Sequence, residues 1–314
     1  MAQQIPAWMQ HGITAAVTHL AQQKESKAMS AVRVQEGVVG KTHPFNRLAS
    51  FEMVDVTTRD GDTQYLNPDM SKRRANLLDA AAAVLIDEFD TLKTMTSPQS
   101  EFSIGLARAR NRKLDRFLLT IQGLDAAGTV GTQVGGILGL ATTVDEGAES
   151  TSTAQLPAAQ QILHGSTNLT MAKIRTAGEM LDTAEIDQDD RYAFYSPKMM
   201  RALLSDNQVT SSDYSSINAL QQGRFPMDAV WYGFKWRMSN LLPVAVPPAA
   251  TANVRSAVFF QKQAVGLAVG LIKGVETTIA TGKWNNPQVV IKLSCGAVRI
   301  EDAGVVQVDC LETA

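Results

Sequence analysis

The sequence predicts an α+β fold in which an N-terminal arm and a long extended hairpin precede one long helix and an α/β body. Three observations predict it. A polar, strand-like stretch runs up to Lys72-Arg73-Arg74, and a short apolar run then ends in Ile86-Asp87-Glu88-Phe89-Asp90. Ser97-Pro98 next opens a single amphipathic helix whose basic part reads Arg110-Asn111-Arg112-Lys113-Leu114-Asp115-Arg116. After Pro287 the apolar residues alternate, which is the period of antiparallel strands.

Residues 5–24 carry Ile5, Trp8, Met9, Ile13, Val17 and Leu20 at the spacing of one helical face. Such a stripe fits a terminal helix docked on its own domain or an arm laid on a neighbour, and the first is the commoner use. From about 28 to 79 the chain turns β-rich. Ala31-Val32-Arg33-Val34 and residues 50–57 read as strands, Arg59-Asp60-Gly61-Asp62 supplies the Asp-Gly reversal, and Thr63-Gln64-Tyr65-Leu66 begins the return. These strands hold few large apolar residues, so a hairpin of this length must lean on another surface. Residues 80–92 are ambiguous: the alanine run favours helix, while their place at the foot of the hairpin favours strand.

The helix expected over residues 98–124 starts with Ser97 as cap and Pro98 in the first turn, and Gly123 ends it. Phe102, Leu106, Ala109, Leu114, Phe117, Leu118, Ile121 and Leu124 form its apolar stripe, and it would extend ~40 Å at 1.5 Å per residue. Arg108, Arg110, Arg112, Lys113 and Arg116 stud the polar sides. Asp115 interrupts them and no aromatic interleaves, so carboxylates of a partner or solvent fit better than phosphates.

Residues 126–160 are glycine- and serine-rich and read as flexible loop, without a P-loop or dinucleotide pattern. A second amphipathic helix follows at 168–186. Arg191-Tyr192-Ala193-Phe194-Tyr195 is a short buried strand, and Ser196-Pro197 caps a helix through Leu204. A polar loop spans 205–223. Segments 230–237 and 257–269 are strand-like, and the chain ends in antiparallel β structure.

Net charge is −2, so no global field draws the chain to nucleic acid or an anionic membrane. The longest apolar stretch, 264–272, is about half a bilayer span, and Lys262 and Lys273 flank it. Met1-Ala2-Gln3-Gln4-Ile5-Pro6 lacks the basic and apolar regions of a signal peptide, so none is expected. Cys295 and Cys310 sit in alternating apolar segments and are expected as buried free thiols, with a weak pointer to a reducing compartment.

No catalytic constellation emerges. His11, His19, His43 and His164 make no zinc spacing, and Asp87, Glu88 and Asp90 match no calcium loop. No G-x-S-x-G or H-E-x-x-H motif occurs and no cysteine has a nearby histidine. No enzyme activity, metal or cofactor is expected.

The order of parts resembles the major capsid proteins of tailed bacteriophages, the Hong Kong 97-type capsid fold, with podovirus-type coat proteins the nearest likeness. The residues that carry it are the spine-like helix after the hairpin and Tyr192-Ala193-Phe194-Tyr195-Ser196-Pro197 with its helix. Residues 257–268, read as a strand with an f-x-k-x-A pattern, and Ser294-Cys295-Gly296-Ala297-Val298-Arg299-Ile300 complete them. The resemblance implies an N-terminal arm over 1–30, an E-loop hairpin over 31–92, a peripheral domain over 93–127 and 255–314, and a mainly axial domain over 128–254. It implies hexamers and pentamers forming an icosahedral head around double-stranded DNA, assembled in the host cytoplasm, with Trp8, Arg59, Asp60 and Asp62 as inter-subunit contacts. Its partners would be further copies of itself, with scaffold, cement and portal proteins and DNA bound without sequence specificity; no membrane is involved. An encapsulin-type cellular shell and a soluble enzyme are the rival readings. The lysine and asparagine of the family's self-crosslink cannot be placed here.

Overall fold

The computed structural model describes residues 23–48, 51–55, 59, 62, 65–67, 69–87, 98–119, 135–145, 151–205, 225–244 and 253–312. In chain order its strands and α-helices begin with β1 (Arg33–Gln35), β2 (Thr42–Leu48), β3 (Met70–Asn76), β4 (Leu78–Leu85) and α1 (Pro98–Leu119). Next come β5 (Ala141–Asp145), β6 (Thr151–Ala154), β7 (Gln161–Ile162), α2 (Met171–Thr183), β8 (Arg191–Tyr195) and α3 (Pro197–Leu204). The rest is β: β9 (Ala229–Trp231), β10 (Phe234–Met238), β11 (Val254–Gln261), β12 (Val265–Ile272), β13 (Glu276–Ala280), β14 (Asn286–Arg299) and β15 (Val305–Leu311).

Three sheets result. The first runs β1-β12-β14-β13, with β4 on the other side of β14; the second runs β7-β15-β11-β8-β10-β9; the third runs β2-β3-β5-β6. The second sheet is covered on both faces, which is why Arg191–Tyr195 is buried at every position. Ala193 and Tyr195 meet α2 and α3 through Ile174, Ala177, Met199 and Leu203. Tyr192 and Phe194 face the opposite way, into a core shared with Leu114, Phe117 and Leu118 of α1 and Val265, Leu267 and Leu293 of the first sheet. The rings of Phe194 and Phe260 stack there with centroids 5.9 Å apart.

The predicted strand at 257–269 is in fact two strands in two sheets. Its apolar character hides the break at Gln261-Lys262-Gln263. There the Gln261 side chain accepts from the Gln263 N–H and a 3-10 turn, Lys262–Ala264, redirects the chain. The terminal strands part in the same way: β14 stays in the first sheet and β15 crosses to the second. Both crossings lie side by side. The N–H groups of Ile300 and Glu301 donate to the Ala264 carbonyl, and that of Gln261 donates to the Gly304 carbonyl.

Within the ambiguous stretch 80–92, residues 80–85 are strand, because β14 offers β4 an antiparallel partner from Cys295↔Leu78 to Gln288↔Leu85, which outweighs the helix propensity of alanine; residues 88–92 lie outside the described residues. The stretch read as loop holds β5 and β6, which pair with each other, and β5 also pairs with β3. Ser196 caps α3 as expected: its hydroxyl accepts from the Met199 N–H at 3.2 Å. The 22 residues of α1 run ~33 Å; Ser97 and Gly123, the expected ends, lie outside the described residues. Most of the expected loop 205–223 and the helix over 5–24 do so as well. Cys295 and Cys310 are buried free thiols, and burial pushes both up to about 12.

At Gly296 the link between β3 and β4 crosses β14 so closely that a Cβ would sit 2.1 Å from the Asn76 carbonyl oxygen. Gly296→Ala should therefore force backbone apart and cost ~1–3 kcal/mol, read as a lowered thermal midpoint of the soluble subunit. An unchanged midpoint would show that this crossing yields freely.

Candidate subunit-contact surface

The hairpin is built from its base outward. β2 pairs with β3 from Thr42↔Asn76 to Leu48↔Met70. These pairs lie farther from the reversal than the sequence suggested: residues 51–55 belong to no strand among the described residues, and 33–35 belong to the first sheet, parallel to β12. The base does own a small core, which the sequence reading missed. Phe45 and Ala75 pack with Ala141, Ala268, Val298 and Ile300. Gly266 is required there, since a Cβ would lie 2.7 Å from the Phe45 ring.

Charge pins the same base. Arg73 is buried and donates to Asp302 Oδ2 at 2.7 Å, while Arg299 donates to Asp302 Oδ1 at 2.5 Å. Arg299 also donates to the carbonyls of Ile137, Gly139 and Ala154, so one side chain holds the loop before β5 and the end of β6. Burial alone would raise the Asp302 carboxyl. The hydrogen bond from Arg299 and the charges of both arginines outweigh it and hold the group below the usual carboxylate range.

The second anchor is Asp115, which the sequence reading took for a break in a basic face. It is fully buried in α1. Its Oδ1 accepts from Ser26 Oγ at 2.5 Å and the Ala28 N–H at 3.1 Å, and its Oδ2 accepts from the Lys27 N–H at 3.0 Å and from Gln23 Nε2. One carboxylate thus caps the inner end of the arm, where backbone donors would otherwise be buried without partners. Arg237 grips the arm from the other side, donating to the Lys27 carbonyl at 2.6 Å and Ser30 Oγ at 2.8 Å while paired with Asp228. A sequence signal for Asp115 existed: a lone acid between Leu114 and the Phe117-Leu118-Leu119 run lies at the edge of the buried stripe. Arg110, expected to face a partner or solvent, reaches its own chain at the Lys273 carbonyl, 3.3 Å away.

Beyond Leu48 and Met70 none of the described residues of the hairpin is buried. Leu48, Phe51, Val54, Leu66 and Met70 are exposed, and Met53 and Tyr65 are 98% and 91% exposed. Of the expected contact residues, Arg59 and Asp62 are exposed in this distal segment. Trp8 and Asp60 lie outside the described residues. Among the described residues no group of three or more metal-ligating side chains forms, and no helix is long and apolar enough to cross a membrane.

This mixed arrangement of three sheets and three α-helices among the described residues is the phage capsid fold. The capsid of Ralstonia phage GP4 is similar at a TM-score of 0.70 and 13% identity over 100% of this chain and 99% of that one. The capsid of cyanophage P-SCSP1u is similar at 0.66 and 17% identity over 98% of both chains. That of cyanophage Pam1 is similar at 0.63 and 15% over 100% of both. None of the curated proteins matches the chain. The family model described as phage capsid protein matches residues 5–312, so the chain belongs to the phage capsid protein family.

Asp115→Asn keeps the size of the side chain but replaces an acceptor by a donor. Loss of a buried backbone partner should cost ~1–3 kcal/mol and speed amide exchange at Lys27 and Ala28. Exchange unchanged at both amides would show that the arm is held elsewhere. The Asp302 pairing carries a pH sign: a depressed carboxyl stabilises fully above its unfolded value of 3.8 and loses that contribution as pH falls through the lower folded value. Amides of β2 and β3 should therefore lose protection below about pH 4, and Asp302→Asn should flatten that acid step.

Proposed function

We propose that this capsid protein assembles as hexamers and pentamers into an icosahedral head that encloses double-stranded DNA, in the manner of the Hong Kong 97-type fold. The hairpin over 31–92 acts as the E-loop, α1 as the spine helix of a peripheral domain over 93–127 and 255–314, and 128–254 as mainly the axial domain. Residues 1–30 are the arm. Trp8, Arg59, Asp60 and Asp62 serve as contacts with neighbouring copies.

One observation carries this reading: Leu48, Phe51, Met53, Val54, Tyr65, Leu66 and Met70 of the distal hairpin are large apolar side chains that no described residue covers. Exposed apolar surface of this kind is stabilised when a partner buries it. In a shell the same contact recurs at every subunit, so individually weak surface pairs near Arg59 and Asp62, each ~0–1 kcal/mol, sum over the particle. A net charge of −2 suits a container that meets DNA without condensing it. Portal, scaffold and cement proteins would meet the assembled shell, and assembly would take place in the host cytoplasm.

Replacing residues 58–62 by a short Gly-Ser linker should leave the subunit folded, with an unchanged far-UV spectrum, while closed shells in sedimentation and negative-stain images are weakened or lost. Shells of undiminished number and heat resistance would make the tip a mere surface turn.

A further inference from the structure

The outer edge of β13 is open, and its polar groups can be assigned. The Pro287 carbonyl accepts from the Ile86 N–H at 2.9 Å, on the β4 side of β14. Successive residues of a strand point their N–H and C=O to opposite sides, so Gln288 and Val290 face β13 and bond its Thr278 and Glu276. Thr277 and Ile279 therefore turn their backbone N–H and C=O outward, away from β14. Among the described residues nothing pairs with them, and Glu276, Thr277, Thr278 and Ile279 are all exposed, Ile279 to 66%. An open edge of β-prone residues is a template for another strand.

The chain also carries a β-prone segment outside every sheet. Residues 51–55, Phe-Glu-Met-Val-Asp, are exposed and belong to no strand or helix among the described residues. Of the charges nearby, Glu52 and Asp55 are acidic and Lys283 lies just past β13, while Lys273 at its other end pairs with Glu276 at 3.0 Å. Phe51 and Met53 offer apolar cover for Ile279 and for Trp284, which is 97% exposed in the turn after β13.

We infer that residues 51–55 of one copy add as a strand to the β13 edge of a second copy, so that main-chain hydrogen bonds at Thr277 and Ile279 are part of the subunit contact. This rests on the shell reading above and names the partner surface of the hairpin. Strand addition derives affinity from main-chain bonds and specificity from alternate side chains, here the apolar pair and Lys283.

Proline separates the edge from the fold. At Thr277 it removes an outward N–H and leaves the β14 ladder intact, the placement in which an edge strand tolerates proline. Full-length Thr277→Pro should stay folded by circular dichroism and yield about tenfold fewer closed shells than wild type. Thr277→Val, which loses the hydroxyl that accepts from Gln99 Nε2 but keeps the N–H, should assemble as wild type. Equal shell yields from Thr277→Pro and wild type, or an equal loss in Thr277→Val, would overturn the proposal and leave the shell reading standing. A wild-type chain that never assembles would overturn both.

Should Thr277→Pro fail to fold, cysteine pairs decide. Ile279→Cys is combined in turn with Phe51→Cys, Met53→Cys or Asp55→Cys, and the native thiols are buried and silent. Oxidised shells of at least one pair should run as covalent multimers on a denaturing gel. Closed shells with only monomer bands for all three would overturn the proposal.

Discussion

The two sheets of the body are held together by a double crossing of the chain at Ala264. There β11 leaves the second sheet for the first as β12, and β14 leaves the first for the second as β15. The Ala264 carbonyl accepts two N–H groups from the returning chain, and Gly304 lies so close that a Cβ would meet the Ala264 methyl at 2.5 Å. With the crossings fixed, the two sheets must face one another across a shared core, and α1 fills the remaining side through Leu114, Phe117 and Leu118. The hairpin base inherits its position from the same place, since Ile300 packs on Phe45 and Asp302 pairs with Arg73.

Where apolar packing stops, the structure relies on carboxylates that gather several donors, although Arg73 Nε and Nη1 stay buried without a partner. A carboxylate taken from water is costly unless hydrogen bonds replace its hydration. Asp115 receives four such bonds and Asp302 two guanidinium donors, and each of these acids holds an element that contributes little to the main core. Charge-assisted bonds are directional, so they set the angle at which arm and hairpin leave the body more sharply than apolar contacts could.

The two projecting elements differ in what they leave unfinished. The distal hairpin lacks apolar cover, whereas the β13 edge lacks main-chain partners although its turn carries an exposed tryptophan. Another chain that covered either deficit would add to the stability that the body supplies.

Much of this was legible in the sequence because it depends on local chemistry. Ser196-Pro197 fixes the start of α3 by capping, the alternation after Pro287 fixes β14, and the stripe of Phe117 and Leu118 fixes the buried face of α1. What the sequence could not decide was which strands share a sheet. Residues 257–269 look continuous because hydrophobicity is blind to a change of partner, and the alanines of β4 become strand only because β14 lies beside them. Asp115 likewise reads as a solvated charge until tertiary structure brings Ser26, Lys27 and Ala28 against it. Periodicity reports how a segment faces water, while pairing and desolvation depend on residues far away in the chain.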